Sequence, residues 1–250
     1  MVEIQNLKVV YSGNGAAVTA LDGVSLTLGE GKTCAVIGPS GCGKSSLLYA
    51  VAGLIRPAAG RVLIHNKPVT PKRKETALIL QDYGLLPWKT AWQNVALGLE
   101  LRGIAREKVN SLVEEAMREL GLWNFRHHYP AQLSGGQRQR VAIARSLTLK
   151  PDLFLLDEPF SSLDALTREN LQESLLDFWR KTRTSIMLVT HNIEEAVFLG
   201  QKIAIFSPGP GRIIHVVEND EMGNLAYRKS DSFYARCTLV RDLLSKGSKG

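Results

Sequence analysis

The sequence predicts an α/β fold, a mainly parallel sheet covered by helices, with a helix-only segment inserted into it. Three observations carry this. Four short apolar runs, at 33–37, 77–80, 153–156 and 185–189, each stop at a glycine or a polar residue. Helix-like periodic stretches alternate with these runs, as in sheets whose parallel strands are joined by helices. Between residues 92 and 129 the strand-like pattern disappears.

The first run, Thr33-Cys34-Ala35-Val36-Ile37, ends at Gly38, and a Gly-rich turn and a helix over 44–53 follow. The second ends at Gln81, the third at Asp157 and the fourth at Thr190-His191. In open α/β sheets ligands sit at the carboxyl ends of the strands, so these four ends are the first candidates for a site. In the helical insert, placed at 88–132, Val109, Leu112, Val113, Ala116, Met117 and Leu120 recur at helical spacing, and Gly121 stands where a C-cap glycine belongs. Leu171, Leu175, Phe178 and Trp179 form a second stripe on a later helix, and plain core packing accounts for both. A tail over 221–250 carries little signal; 231–244 could add a small helix and 247–250 is expected to be disordered.

Composition bounds the rest. The chain has 250 residues, 44% hydrophobic and 22% charged, enough for one large domain with a sizeable core. No run of about 20 apolar residues spans a bilayer, and Met1-Val2-Glu3-Ile4-Gln5 does not read as a secretory signal. Cys34, Cys42 and Cys237 lack paired or metal-like spacing, which fits a reducing compartment. The net charge of +7 suits a solvated basic surface, anionic lipid or nucleic acid, and composition does not choose among them.

Gly38-Pro39-Ser40-Gly41-Cys42-Gly43-Lys44-Ser45 matches G-x-x-x-x-G-K-[ST] after a strand and before a helix. Its glycines let successive N–H groups turn inward as an anion nest, and the helix start adds its dipole. The cradle, extended through Ser46, is a candidate ATP site in which Lys44 reaches the β- and γ-phosphates and Ser45 ligates Mg²⁺. Asp157 is the candidate second Mg²⁺ ligand, and Glu158 could accept a proton from an attacking water. Cys42, inside the loop and beside Lys44, is expected to have an accessible thiol biased toward thiolate; Cys34 is expected to be buried.

Leu133-Ser134-Gly135-Gly136-Gln137 resembles the signature motif of ABC ATPases. Ser134 is a good N-cap and the glycines leave N–H groups open at a helix start, so this is a second anion site. The resemblance implies a P-loop NTPase core of ABC ATPase type, with N-terminal antiparallel strands, a core over 1–87 and 133–220, and the helical subdomain at 88–132. It also implies a head-to-tail homodimer, in which Ser134, Gly135, Gly136 and Gln137 of one copy close on the γ-phosphate held by the other. Gln81 resembles the Q-loop glutamine, a catalytic residue and Mg²⁺ contact. Ser162-Leu163-Asp164 resembles the D-loop, His191 the switch histidine, and Tyr11 the aromatic residue that stacks on adenine.

Gln81-Asp82-Tyr83-Gly84-Leu85-Leu86-Pro87-Trp88 is similar to ATPase subunits of importers of the nitrate, sulfonate and taurine group. That similarity implies a membrane permease contacting Leu85, Leu86 and Trp88, a substrate-binding protein acting indirectly, and a peripheral place on the cytoplasmic face of the membrane. The same side chains could instead anchor the insert on the core. A soluble ABC ATPase acting on nucleic acid or ribosomes is the alternative; the short span from Gln81 to Leu133 and the single cassette count against it, and no nucleic acid is expected as a partner. A non-hydrolysing regulator is disfavoured by the presence of both Glu158 and His191. Compared with sugar-importer ATPases, no C-terminal regulatory module is expected, unless 231–244 adds a small helix.

Overall fold

The computed structural model of the chain describes residues 1–12, 17–71, 73–161 and 163–247. Strands β1 (Val2–Ser12) and β2 (Ala17–Leu28) open the chain, followed by β3 (Thr33–Ile37) and helix α1 (Lys44–Val51). Next come β4 (Ala59–Ile64), β5 (Lys67–Pro68) and β6 (Thr76–Ile79). A helical stretch follows, with α2 (Ala91–Leu101), α3 (Arg106–Glu119) and α4 (Gly135–Leu147). The second half alternates β7 (Leu153–Asp157), α5 (Ala165–Thr182), β8 (Ser185–Thr190), α6 (Ile193–Leu199) and β9 (Lys202–Phe206). It closes with β10 (Ile213–Glu218) and α7 (Asp231–Gly247).

Two sheets result. A four-stranded antiparallel sheet has the order β2-β1-β4-β5, and a six-stranded sheet the order β10-β9-β3-β8-β7-β6. In the second, β6, β7, β8, β3 and β9 run parallel and only β10 is antiparallel. The expected α/β class with N-terminal antiparallel strands is therefore what the chain adopts. All residues of β3, β7 and β8 are buried, as continuous apolar runs require when both faces of a parallel sheet are covered.

Three apolar clusters hold the elements together. One packs α1 between the two sheets, through Leu47, Leu48 and Val51 against Val36, Leu155 and Val189. A second covers the opposite sheet face with α5, α6 and α7. The third joins α2 and α3 to α4 through Val95, Val113, Met117 and Val141. In α3, Val109, Val113, Ala116 and Met117 are buried as the periodicity predicts, and Gly121 has the left-handed φ of 66° that its capping position requires. The 231–244 stretch is part of a 17-residue helix, α7, which buries Phe233, Cys237 and Val240 on α6 and β9. Of the expected disordered end, 248–250 lie outside the described residues. Among the described residues no helix is long and apolar enough to cross a membrane.

Candidate functional site

The parallel register brings the ends of β3, β7 and β8 side by side: Ile37 pairs with Thr190, and Asp157 with Val189. The cradle, the Asp157-Glu158 pair and His191 thereby converge on one edge of the sheet. Gly41 and Gly43 have φ of 75° and 95°, and a Cβ on Gly43 would stand 2.4 Å from the Ala20 carbonyl oxygen. Only glycine fits there without moving backbone. The loop is backed from two sides. Gly211, just before β10, donates its N–H to the Ala20 carbonyl, and a Cβ on it would meet the Cys42 carbonyl oxygen at 2.1 Å.

Lys44 is buried, and its ammonium donates to the Gly38 and Pro39 carbonyls at 2.9 and 2.8 Å. Its charge is thus held at the centre of the loop. The Ser45 hydroxyl donates to Asp157 Oδ1 at 2.9 Å, and the Tyr49 hydroxyl to Oδ2 at 3.3 Å. Burial pushes the Asp157 carboxyl up, and these two hydroxyls partly offset it. Among the described residues Asp157 forms no ion pair with a basic side chain. A buried carboxylate facing a serine hydroxyl, lowered by the Lys44 charge but not ion-paired with it, fits a hard divalent cation.

Glu158 leaves β7 with a left-handed φ of 46° and donates its N–H to the Val189 carbonyl at 2.9 Å. That bond laces the ends of β7 and β8 and turns the carboxylate toward His191, whose Nδ1 lies 3.1 Å from Glu158 Oε2. Gln81 is exposed at the turn after β6. The Tyr11 hydroxyl lies 2.9 Å from Ser46 Oγ, so the end of β1 reaches the cradle. Tyr11 itself is 43% exposed. Ser40 and Gly41 are exposed at the loop tip.

Ser134 caps α4. Its hydroxyl accepts from the Gln137 N–H, and the Gln137 side chain accepts from the Ser134 N–H, a complete capping box. Gly136 lies against α5, where a Cβ would meet the Thr167 methyl carbon at 2.6 Å. Among the described residues no hydrogen bond links 134–137 to the 38–46 loop. Asp164 caps α5 by accepting from the Thr167 N–H at 3.0 Å, which holds its carboxyl below the usual range. Ser162, expected beside it, lies outside the described residues.

One expectation fails here. The Cys42 side chain is not accessible: it is fully buried, wedged between Gly38 and the core around Phe206. Burial pushes its thiol up, outweighing the lowering by Lys44, so thiolate is disfavoured. Its contribution to the loop is its backbone. Cys34 is buried as expected, with its thiol pushed up to about 12. Leu85 packs against both the sheet core and the α2–α3 cluster, whereas Trp88 is 70% exposed. Anchoring thus falls to Leu85, and Trp88 is left outside.

A sequence profile described as ABC transporter matches residues 21–161, which take in the cradle, the Ser134 segment and Asp157. The chain belongs to the ABC transporter family. Relatives include the taurine import ATP-binding protein TauB of Yersinia pestis biovar Antiqua, strain Antiqua, 45% identical over 86% of this chain and 82% of that one. TauB of Chromobacterium violaceum is 48% identical over 80% and 77%. An uncharacterised ABC transporter ATP-binding protein of Methanocaldococcus jannaschii is 42% identical over 88% and 82%. Among solved structures, a dimeric post-hydrolysis state of the ATP-binding cassette MJ0796 with ADP and Pi superposes with a TM-score of 0.79 at 31% identity. It covers 87% of this chain and 98% of that one. CbiO1 from Clostridium perfringens shares the fold, with a TM-score of 0.79 at 24% identity over 97% and 93%. The chain is an ABC-type ATPase.

Glu195 had no sequence signal of its own. It is a charged residue on an otherwise apolar helix face, and only its burial, at 4% exposure, sets it apart.

Proposed function

We propose that this ABC ATPase energises an importer, working as a head-to-tail homodimer beneath a separate permease on the cytoplasmic face of the membrane. The solute class is a small anion or zwitterion of the nitrate, sulfonate or taurine kind. The observation that carries the hydrolytic reading is the pairing of Glu158 with His191 across two adjacent strand ends, beside the Ser45–Asp157 contact. The taurine import relatives support the importer reading.

The inward N–H groups of the 38–46 loop and the Lys44 ammonium bind the β- and γ-phosphates of ATP. Tyr11 stacks on adenine. Ser45 and Asp157, with Gln81, would hold Mg²⁺, and the ion would supply positive charge against the phosphates. Glu158 takes a proton from the water whose oxygen attacks the γ-phosphorus, and ADP leaves with the bond's electron pair. His191 keeps the Glu158 carboxylate oriented through its ring nitrogen. Ser134 to Gln137 of the second copy supply N–H donors to the γ-phosphate, with Asp164 nearby at the interface. Residues 88–132 act as a helical subdomain, and exposed Trp88 with half-buried Leu86 receives the permease.

Glu158→Gln tests this reading. The amide keeps the shape and cannot act as base, so turnover should fall by roughly 10²–10⁴-fold while MgATP still binds. The uncut nucleotide should hold two copies together, giving a dimer with ATP and a monomer with ADP in size-exclusion chromatography with light scattering. Wild-type turnover would remove Glu158 from the role. For the permease contact, Trp88→Asp should leave the isolated subunit's ATPase intact and prevent co-purification with the permease. Intact co-purification would place the contact elsewhere.

A further inference from the structure

The turn that presents His191 is held by a closed set of hydrogen bonds in which His191 takes no part. The Thr190 hydroxyl donates to Glu195 Oε2 at 2.6 Å. The Asn192 N–H donates to the Thr190 hydroxyl at 3.0 Å. The Glu195 N–H donates to Asn192 Oδ1 at 3.0 Å. Thr190, Asn192 and Glu195 are thereby locked to one another, and His191, between them, is pushed out of the ring toward Glu158. Thr190 uses its single O–H on Glu195 and a lone pair on Asn192, so only an acceptor at 195 keeps the hydroxyl in this orientation.

Glu195 is buried at the start of α6, 4% exposed, and its Oε1 has no hydrogen-bond partner. A buried carboxylate with half its acceptor capacity unused costs stability, and it calls for an explanation beyond packing. Two charged groups face it: Arg168 on α5, which favours its charge, and Glu158 at the exit of β7, which opposes it. Helix α7 packs on α6, but its Cys237 feels Glu194 rather than Glu195. Thr190 of β8 is its hydrogen-bond partner. Burial pushes the Glu195 carboxyl up to about 7, so its charge changes within the physiological range.

We propose that Glu195 is a positioning residue for hydrolysis, acting through Thr190 on the turn that holds His191 against Glu158, and that its ionised form grips that turn more tightly than its neutral form. The inference rests on the hydrolytic reading of Glu158 and His191. The 2.6 Å contact lies in the range of a charge-assisted O–H···O⁻ bond, which is about twice as strong as a neutral one. Protonation weakens the grip, relaxes the 190–192 turn and loosens His191 from its partner. Among the described residues none of these groups hydrogen-bonds to the cradle, so nucleotide binding should be untouched.

The test is the pH profile of ATPase activity in the intact protein, with kcat and KM separated, from pH 5.5 to 9. In the wild type kcat should rise through about pH 7. Glu195→Gln, fixed in a neutral state that still accepts from Thr190, should lack that rise. Its kcat at pH 8 should be lower by about fivefold, the difference between a charged and a neutral hydrogen bond, with KM for ATP unchanged. Thr190→Ala should reproduce the loss and Thr190→Ser should restore activity, because the hydroxyl is what Glu195 holds. The Thr190 pair decides the matter even if Glu195→Gln fails to fold. Superimposable profiles for wild type and Glu195→Gln, a change confined to KM, or a Thr190→Ser variant as weak as Thr190→Ala would each overturn the inference. His191→Ala is the control for the underlying reading: full ATPase activity in that variant removes the hydrolytic role of His191, whereas an inactive His191→Ala beside a wild-type-like Glu195→Gln removes the role of Glu195 alone.

Discussion

Two glycine-rich helix starts in this chain look alike as sequence and differ as structures. The 38–46 loop has a buried ammonium at its centre, a buried carboxylate behind it and backbone contacts from Ala20 and Gly211 pressing on it. The 134–137 segment has a capping box, a half-buried surface and no charged side chain among its four residues. The first carries its own cation, carboxylate and backbone supports. The second offers open N–H groups at a helix start and nothing to hold an anion against water, which suits donors completed by another surface. Like motifs therefore differ in self-sufficiency, and the difference lies in what the rest of the chain brings to each.

The largest expected effect breaks the first region. Lys44→Ala removes the cation at the centre of the cradle, and ATPase activity should fall by at least about 10²-fold, with nucleotide binding weakened in parallel. A fluorescent nucleotide titration checks binding; unchanged affinity would make the cradle something other than the ATP site. Ser134→Arg sharpens the contrast from the other side. Placed in the Glu158→Gln background it should abolish the ATP-dependent dimer while each monomer still binds ATP. Loss of binding by the monomer would show that 134–137 serves its own chain.

A smaller effect separates the two regions by stability. Gly43→Ala combines a φ of 95° with a backbone oxygen in the way, whereas Gly136→Ala meets a threonine methyl that can rotate aside. Gly43→Ala should cost about 1–2 kcal/mol or more, from the left-handed conformation alone, and Gly136→Ala clearly less, as read by urea unfolding. The smallest effect concerns Cys42. Because its thiol is buried and pushed up by burial, maleimide at neutral pH should leave ATPase activity unchanged in the folded protein. Rapid inactivation with protection by MgATP would contradict the packing around Phe206.

The four strand ends, and the placing of the 38–46 turn, Asp157, Glu158 and His191 at them, were legible because each depends on local pattern: an apolar run, a stop, a glycine spacing. The α3 stripe was legible for the same reason, since 3.6-residue periodicity records which face is covered. Helix α7 was barely visible, because Phe233, Cys237 and Val240 form a sparse stripe whose partner surface, α6 and β9, is made elsewhere. Cys42 was misread because its sequence neighbours are Gly41, Gly43 and Lys44, all signs of an open polar loop. Its surroundings in space are Gly38 and the cluster containing Phe206, contributed by a strand at the other end of the chain.

By itself, then, the sequence determined the four buried strands, the α3 stripe and the chemistry available at each strand end, because backbone propensity and phosphate binding are properties of a few neighbouring residues. Tertiary structure alone decided which ends adjoin, which thiol is covered and which carboxylate is half-paired. Glu158 faces His191 because β7 and β8 are adjacent in the sheet, and the Glu195 carboxyl is pushed up because burial desolvates it, against the lowering bond from Thr190. Desolvation and charge coupling depend on distance in space, and residues far apart along the chain set those distances.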